Sequence, residues 1–423
     1  PLDDDYYGLR RGLWMATDRA YKTALETLSK KKGYLQNTIQ TEVLPDFTKG
    51  SATSSLRTDN VLAIDKERWN QQVDQIAKLL SGQPEIQRSR AILNVQIVNS
   101  YYVNSEGAEV IEPVATARLD ISLSTQAEDG MPLGNYRFYS ARPDTMPDKA
   151  TIENDIKKMI SELLAAKKAP LADQYSGPVL FVGQAAAEFV SQGFSGFLSA
   201  RRLPVSDNPS ISRLRENPFL DKMNTKVAAN FLSLKAVPTM KNYGRQSLLG
   251  ACTIDDEGVP CQDVSLIENG ILKNLLTTRT PVKGFTQSNG HAHGGAAAPS
   301  VIQITSTNKK PYPQLKQELL NAAKEEGFPF GYIVYGLTPA GETVSGASDL
   351  FSRQGSPEPT QFRLTNPFSV FRIYPDGREE PVRGIEFGSI HINAFRNILA
   401  TSDDEIIYDF GVTASNHPAT VRP

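Results

Sequence analysis

Apolar residues near the start of the chain recur at spacings of three and four: Leu9, Leu13, Ala16, Ala20, Ala24 and Leu28. That period predicts a helix over about 9–31 with one apolar stripe. Lys30, Lys31 and Lys32 suit the negative end of its dipole, and Gly33 is placed to stop it. A polar connector rich in Thr and Ser runs to about residue 60. A second helix follows, capped by Asp65, with Trp69, Val73, Ile76 and Leu80 inward and Gly82 behind it. From Ala91 the period falls to two. Strands are predicted over about 92–103 and 108–124, joined by Asn104-Ser105-Glu106-Gly107, and over 135–141 after the Asp129-Gly130 turn. A helix over about 149–166 carries Ile152, Ile156, Met159 and Leu163 on one face. Lys167, Lys168 and Pro170 end it and begin a linker to about Gly177.

The rest of the chain is richer in strands and turns. Asp255-Asp256-Glu257-Gly258, Glu268-Asn269-Gly270 and Pro375-Asp376-Gly377 each separate runs of strand character, and one helix over about 313–326 turns Leu315, Leu319 and Ala322 inward. The pattern predicts an α+β protein. Residues 1–172 form a domain of helices and antiparallel strands, and residues 173–423 a larger, mostly antiparallel β domain.

Composition narrows the function classes. The 423 residues are 39% hydrophobic and 22% charged, in the range of ordinary globular chains. Forty-five basic residues against 47 acidic ones leave no electrostatic footprint for nucleic acid. No apolar run is long enough to predict a transmembrane segment. The chain opens at Pro1, without an initiator Met and directly before a helix, which reads as a processed product.

Two cysteines flank the Asp-Asp-Glu-Gly turn. In a hairpin symmetric about that turn Ile254 pairs with Val259, Thr253 with Pro260 and Cys252 with Cys261. Opposed residues in an antiparallel ladder lie about 4.5–5.5 Å apart at Cα, which suits a disulfide. A persistent disulfide predicts an oxidising compartment, hence an exported, periplasmic protein. The same pair also fits two small buried residues of a reduced protein.

Catalytic signals are sparse. Of four histidines, only His291 and His293 are close in sequence, within Ser288-Asn289-Gly290 and Gly294-Gly295. The setting reads either as a loop where two imidazoles meet a ligand or as a flexible surface loop that contains histidines. His391 alternates with Ile390 and Ile392 and is expected on one face of a strand, and His417 lies in a polar tail.

The stretch from Gly244 to Leu276, with Ile254-Asp255-Asp256-Glu257-Gly258-Val259-Pro260 and Leu266-Ile267-Glu268-Asn269-Gly270-Ile271-Leu272-Lys273, resembles the TldD/PmbA family, the modulators of DNA gyrase classed as zinc metallopeptidases. Ser288-Asn289-Gly290-His291, Val382-Arg383-Gly384 and Pro178-Val179-Leu180-Phe181-Val182 match further family motifs. The resemblance extends from about Gly177 to Phe410, and it implies an upstream piece beyond the first domain.

TldD-type members carry H-E-x-x-x-H on a helix, with two zinc-binding imidazoles, a glutamate base and a late cysteine ligand. The window here is Ala187-Glu188-Phe189-Val190-Ser191-Gln192, and no Cys follows Cys261. The resemblance therefore implies the PmbA type, without zinc or another cofactor, in which Glu188 is a remnant general base. Glu188, Gln192, Asn289, Gly290, His291 and His293 are the candidate substrate contacts. The expected partners are a peptide or protein substrate and a TldD/PmbA-type subunit in a homo- or hetero-oligomer. Two other readings stand beside it. One is an active metallopeptidase with a relocated site built from His291, His293 and Glu188; the other is a structural subunit of a cell-envelope complex.

Overall fold

The computed structural model describes residues 5–36, 44–57, 65–205, 216–339, 358–410 and 419–422, so His417 lies outside the described residues. Helix α1 (Tyr6–Gln36) is longer than its apolar stripe predicts and passes through Gly33. It buries none of its residues, and Leu13 and Trp14 remain 62% and 68% exposed. The stripe is real as a pattern, but a helical period specifies which face is apolar and not what covers it.

The next elements follow their patterns closely. Strand β1 (Ser54–Leu56) precedes α2 (Lys66–Ser81), whose cap forms as expected: the Asp65 carboxylate accepts from Arg68 N at 3.0 Å. Strands β2 (Arg88–Val103), β3 (Glu109–Gln126) and β4 (Pro132–Ala141) make an antiparallel sheet with β3 in the middle, and β1 joins β3 in parallel. On β3 the side chains of Ala117, Leu119, Ile121 and Leu123 all point inward, as a two-residue period requires. Leu119, Ile121 and Leu123 pack on Ile76 and Leu80 of α2 and on Ile152, Ile156, Met159 and Leu163 of α3 (Lys149–Lys168). One sheet face covered by two helices makes the first core.

The second half holds a six-stranded and a four-stranded sheet. Strand β5 (Val179–Phe181) leads directly into α4 (Gln184–Gly193). Strands β6 (Leu232–Ala236), β7 (Val264–Glu268) and β8 (Ile271–Leu272) follow, with β9 (Val301–Ser306) and helix α5 (Tyr312–Glu325) after them. Next come β10 (Gly331–Leu337), β11 (Pro367–Ile373), β12 (Glu379–Val382), β13 (Tyr408–Phe410) and β14 (Ala419–Arg422). One sheet has the order β8-β7-β6-β9-β14-β13 and the other β12-β11-β10-β5. The Asn269-Gly270 turn forms as predicted: both residues have positive φ, 48° and 79°, and Ile271 pairs back onto Glu268.

Two arginines fasten the halves together. Arg383, from the Val-Arg-Gly motif, donates to Ala169 O at 2.8 Å and to the Asp129 carboxylate at 2.7 Å. Arg279 is buried, pairs with Glu106 in the β2–β3 turn, donates to Thr48 O at 2.6 Å and stacks over Phe47 at 4.1 Å. A third contact is the ring of Phe138, on β4, edge-on to Tyr408 at 5.4 Å.

Candidate functional site

Helix α4 is held by two unlike faces. Phe189 packs between Phe181 and Phe395, at 4.9 and 5.5 Å between ring centres, and Gly193 lies where a Cβ would come within 2.7 Å of Phe395. The other face carries Gln184, Glu188 and Gln192, four residues apart and therefore stacked on one side. That spacing was readable in the sequence, although Gln184 was not singled out there. The rest of the site is contributed by Thr338, Thr365 and Tyr408, residues distant in sequence that carry no local signal.

Glu188 is 1% exposed, and both of its carboxylate oxygens are engaged. Oε1 accepts from the Tyr408 hydroxyl at 2.5 Å and Oε2 from the Gln192 amide at 2.8 Å. Gln192 also donates to Thr338 O at 3.1 Å, and its own oxygen accepts from Thr365 N at 2.8 Å. Gln184 bridges in the same way, accepting from Leu337 N at 2.9 Å and donating to Leu337 O at 2.8 Å. Burial beside this carboxylate pushes the Tyr408 phenol well above its ordinary range, so Tyr408 stays a neutral donor. The helix face thus ties β10, the Thr365 segment and β13 together.

Zinc does not fit this donor set. A tetrahedral site needs three or four nitrogen, sulfur or carboxylate ligands. Here Ala187 offers a methyl group, Gln192 an amide oxygen already accepting from backbone, and Glu188 a single carboxylate, whose oxygens accept from Gln192 and Tyr408. No metal-dependent step is derived from them.

The histidine loop is a separate place. Its imidazoles do not lie on the surface: His291 and His293 are 0% and 6% exposed. Gly290, at φ 75°, lies against the neighbouring hairpin so closely that a Cβ would come 2.2 Å from Pro260 O. Asn289 is pinned too, accepting from Thr277 N at 2.8 Å and donating to Leu275 O at 2.9 Å. The His291 Nδ1 donates to Asn289 O at 2.9 Å, which leaves the lone pair on Nε2, enclosed and without a hydrogen-bond partner among the described residues. Burial lowers the His291 pKa to about 4. His391 sits at a strand end, exposed, and its Nδ1 accepts from Asn393 N at 3.1 Å.

Asp255 joins that loop to the Asp-Asp-Glu-Gly turn. It is 4% exposed and its oxygens accept from three backbone amides, Glu257 N, Val259 N and Ala292 N, at 2.9 to 3.0 Å. Burial raises its pKa against the pull of those amides. The hairpin register differs by one residue from the symmetric expectation: Ile254 pairs with Pro260, and Cys261 N donates to Thr253 O at 3.0 Å. Asp255 is the reason, since its carboxylate gathers the turn amides and Asp255 N closes onto Val259 O, leaving a loop of Asp256, Glu257 and Gly258. Both cysteines are buried free thiols here, so the expected disulfide is not formed in this structure.

The sequence candidates therefore separate into two clusters, Glu188 with Gln192 and Asn289 with Gly290, His291 and His293. Among the described residues no three of His, Cys, Asp and Glu come together so that they could hold a metal ion. The relocated zinc site built from both clusters has no such grouping among the described residues.

Comparison with known proteins assigns the scaffold. Residues 174–357 match the PmbA/TldA metallopeptidase C-terminal domain. A zinc metalloprotease TldD homologue of Saccharolobus solfataricus is 26% identical over 321 residues, which are 73% of this chain and 62% of that protein. A metalloprotease of Methanothermobacter thermautotrophicus is 24% identical over 184 residues, 43% of this chain and 35% of its own length. The matches thus span less than two thirds of either relative. Among solved structures, a putative modulator of DNA gyrase from Thermotoga maritima superposes with a TM-score of 0.64 at 16% identity, covering 91% of this chain and 79% of that one. TldE from Thermococcus kodakarensis gives 0.58 at 18%, covering 90% and 77%.

Proposed function

We propose, from the premise that this chain belongs to the TldD/PmbA family, that it acts as a peptide-binding or partner subunit with no zinc site of its own. The observation that carries this reading is the burial of Glu188 with each of its oxygens bonded to a side chain of the protein. A general base needs a lone pair facing a water that it can deprotonate. Both oxygens of Glu188 instead accept from neutral side-chain donors of the protein. Gln192 stands where the family places an imidazole and serves as a structural bridge to Thr338 and Thr365.

The test uses the purified chain, equilibrated with zinc, freed of loosely held metal and analysed for bound metal. A metal content far below one zinc per chain is expected, together with binding of unstructured peptides without their cleavage. One zinc per chain, or peptide cleavage abolished by a chelator, overturns the reading. A TldD-type subunit offered to the chain should form a stable complex if the partner role holds, and peptide binding with no such complex would confine the role to the peptide.

A further inference from the structure

A small cavity of about 280 Å³ in the second half has no carboxylate in its lining. Its floor is apolar, made by the buried Phe219 and Ile392. Around that floor stand Lys222, Lys226, Asn393 and Arg396.

Two chain segments bring these groups together. One runs through the single turn Leu220–Lys222 and then through Asn224, at φ 60°. Asn224 N donates to Leu272 O at 2.8 Å and Leu272 N to Thr225 O at 3.0 Å, which ties this segment to β8. Thr225 also lines the cavity, but its hydroxyl donates to Lys222 O at 2.8 Å and has no proton left for a ligand. The other segment is anchored by Phe395, which is fully buried, 3.6 Å from Phe194 between ring centres, and whose carbonyl accepts from Ala229 N at 2.9 Å. Asn393 and Arg396 flank that anchor. Both backbones are thus fixed, and only the ends of the polar side chains have to adjust to a ligand.

None of the three cations has an ion-pair partner among the described residues. Elsewhere the chain matches such groups: Arg279 meets Glu106 and Arg383 meets Asp129. Three like charges around one cavity repel one another, and an anion between them relieves the repulsion.

We propose that this cavity binds phosphate, free or as a small monoester. The lining offers two ammonium groups, one guanidinium and one side-chain amide, so its chemistry is that of a donor set with a large excess of positive charge. A carboxylate brings one negative charge. A phosphate brings close to two, with three acceptor oxygens, and the planar fork of Arg396 can hold two of them at once. The volume lies just under the range of ordinary ligand pockets, about 300–1,000 Å³, which limits the ligand to a small one. The inference is independent of the peptide-binding reading, since it uses none of the residues around Glu188.

The experiment titrates the full chain with inorganic phosphate and, separately, with methyl phosphate, by calorimetry in a phosphate-free buffer at constant ionic strength. One saturable site per chain is expected, and acetate should bind at least about tenfold more weakly. Lys226→Gln combined with Arg396→Gln changes two exposed side chains and should weaken phosphate at least about tenfold. Lys241→Gln, at an exposed lysine outside the lining, should leave the affinity unchanged. Equal binding of the two phosphates supports an ester as the ligand, and a preference of more than about fivefold for inorganic phosphate supports the free anion. No saturation below about 10 mM, acetate bound as tightly as phosphate, or the same loss in Lys241→Gln as in the double variant overturns the proposal. Should the double variant fail to fold, the selectivity of the wild-type chain for phosphate over acetate decides it.

Discussion

Two buried carboxylates, Glu188 on α4 and Asp255 in the cysteine-flanked turn, are held in opposite ways. Asp255 accepts only from backbone amides, which are rigid donors that cannot reverse. Glu188 accepts from a tyrosine hydroxyl and a glutamine amide, groups that rotate and can serve as donor or acceptor. The first arrangement defines backbone geometry: Asp255 gathers the amides of its own turn and holds Ala292 N of the histidine loop, beside the bonds that Asp256 makes to Ala292 O and Gly294 N. The second joins side chains of elements already placed by the sheets and by the aromatic cluster around Phe189. A position of the second kind can adapt to a change in its partners by rotation of the hydroxyl and the amide.

The largest effect expected from this contrast is at Asp255. Asp255→Ala leaves three enclosed amides without acceptors, and each unsatisfied group costs about 1–3 kcal/mol. A loss of roughly 3–5 kcal/mol in chemical denaturation is expected, counting partial rescue by water. Asp255→Asn, which retains one acceptor oxygen, should fall between this variant and wild type. A loss below about 1 kcal/mol for the alanine variant would show that solvent replaces the carboxylate, and the two sites would then be alike.

A somewhat smaller effect is expected from pH at His291. Its folded pKa, about 4, lies below the ordinary value of 6.5, so between these the unfolded chain takes up a proton that the fold refuses. Stability from this group is complete above pH 6.5 and is lost as pH falls toward 4. Burial raises Asp255 and Glu257, so these two act with the opposite sign, favouring the fold as they protonate. Wild type should lose about 2–3 kcal/mol from His291 between pH 7 and pH 4.5, and His291→Gln should flatten that slope in urea unfolding. An unchanged slope in the variant would assign the acid sensitivity to other groups.

How much of this was legible beforehand follows from the range of the interactions. The three strands and two packed helices of the first core were readable because Leu119, Ile121, Leu123 and Ile152, Ile156, Met159 obey periods that any core imposes. The Asp65 cap and the Asn269-Gly270 turn were readable because their determinants lie within a few residues. The hairpin at Asp255 was placed correctly but one residue out of register, since side-chain capture of turn amides competes with strand pairing. The α1 stripe suggested a buried face that the structure leaves exposed. The α4 window was readable only through family resemblance, and its meaning was not readable at all. Thr338 and Thr365 reach Gln192 from 146 and 173 positions away along the chain, and Tyr408 reaches Glu188 from 220.

The smallest effect, and the one that bears most on function, is Glu188→Gln. The new amide can keep its oxygen toward the Gln192 Nε2 and turn its NH2 toward the Tyr408 oxygen, which accepts after the hydroxyl rotates. Every partner of Glu188 described here then stays satisfied, and the site loses a charge whose hydrogen bonds were stronger than neutral ones. A change of about 1 kcal/mol is expected, several-fold below that of Asp255→Ala. The same variant distinguishes a structural carboxylate from a general base. A base loses its function when its basic oxygen is replaced by an amide, whatever happens to stability. Should the wild-type chain cleave a peptide and Glu188→Gln abolish that cleavage while leaving the fold intact, Glu188 would have to leave Tyr408 and Gln192 during turnover. The resemblance between the two carboxylates would then end in chemistry and not in packing.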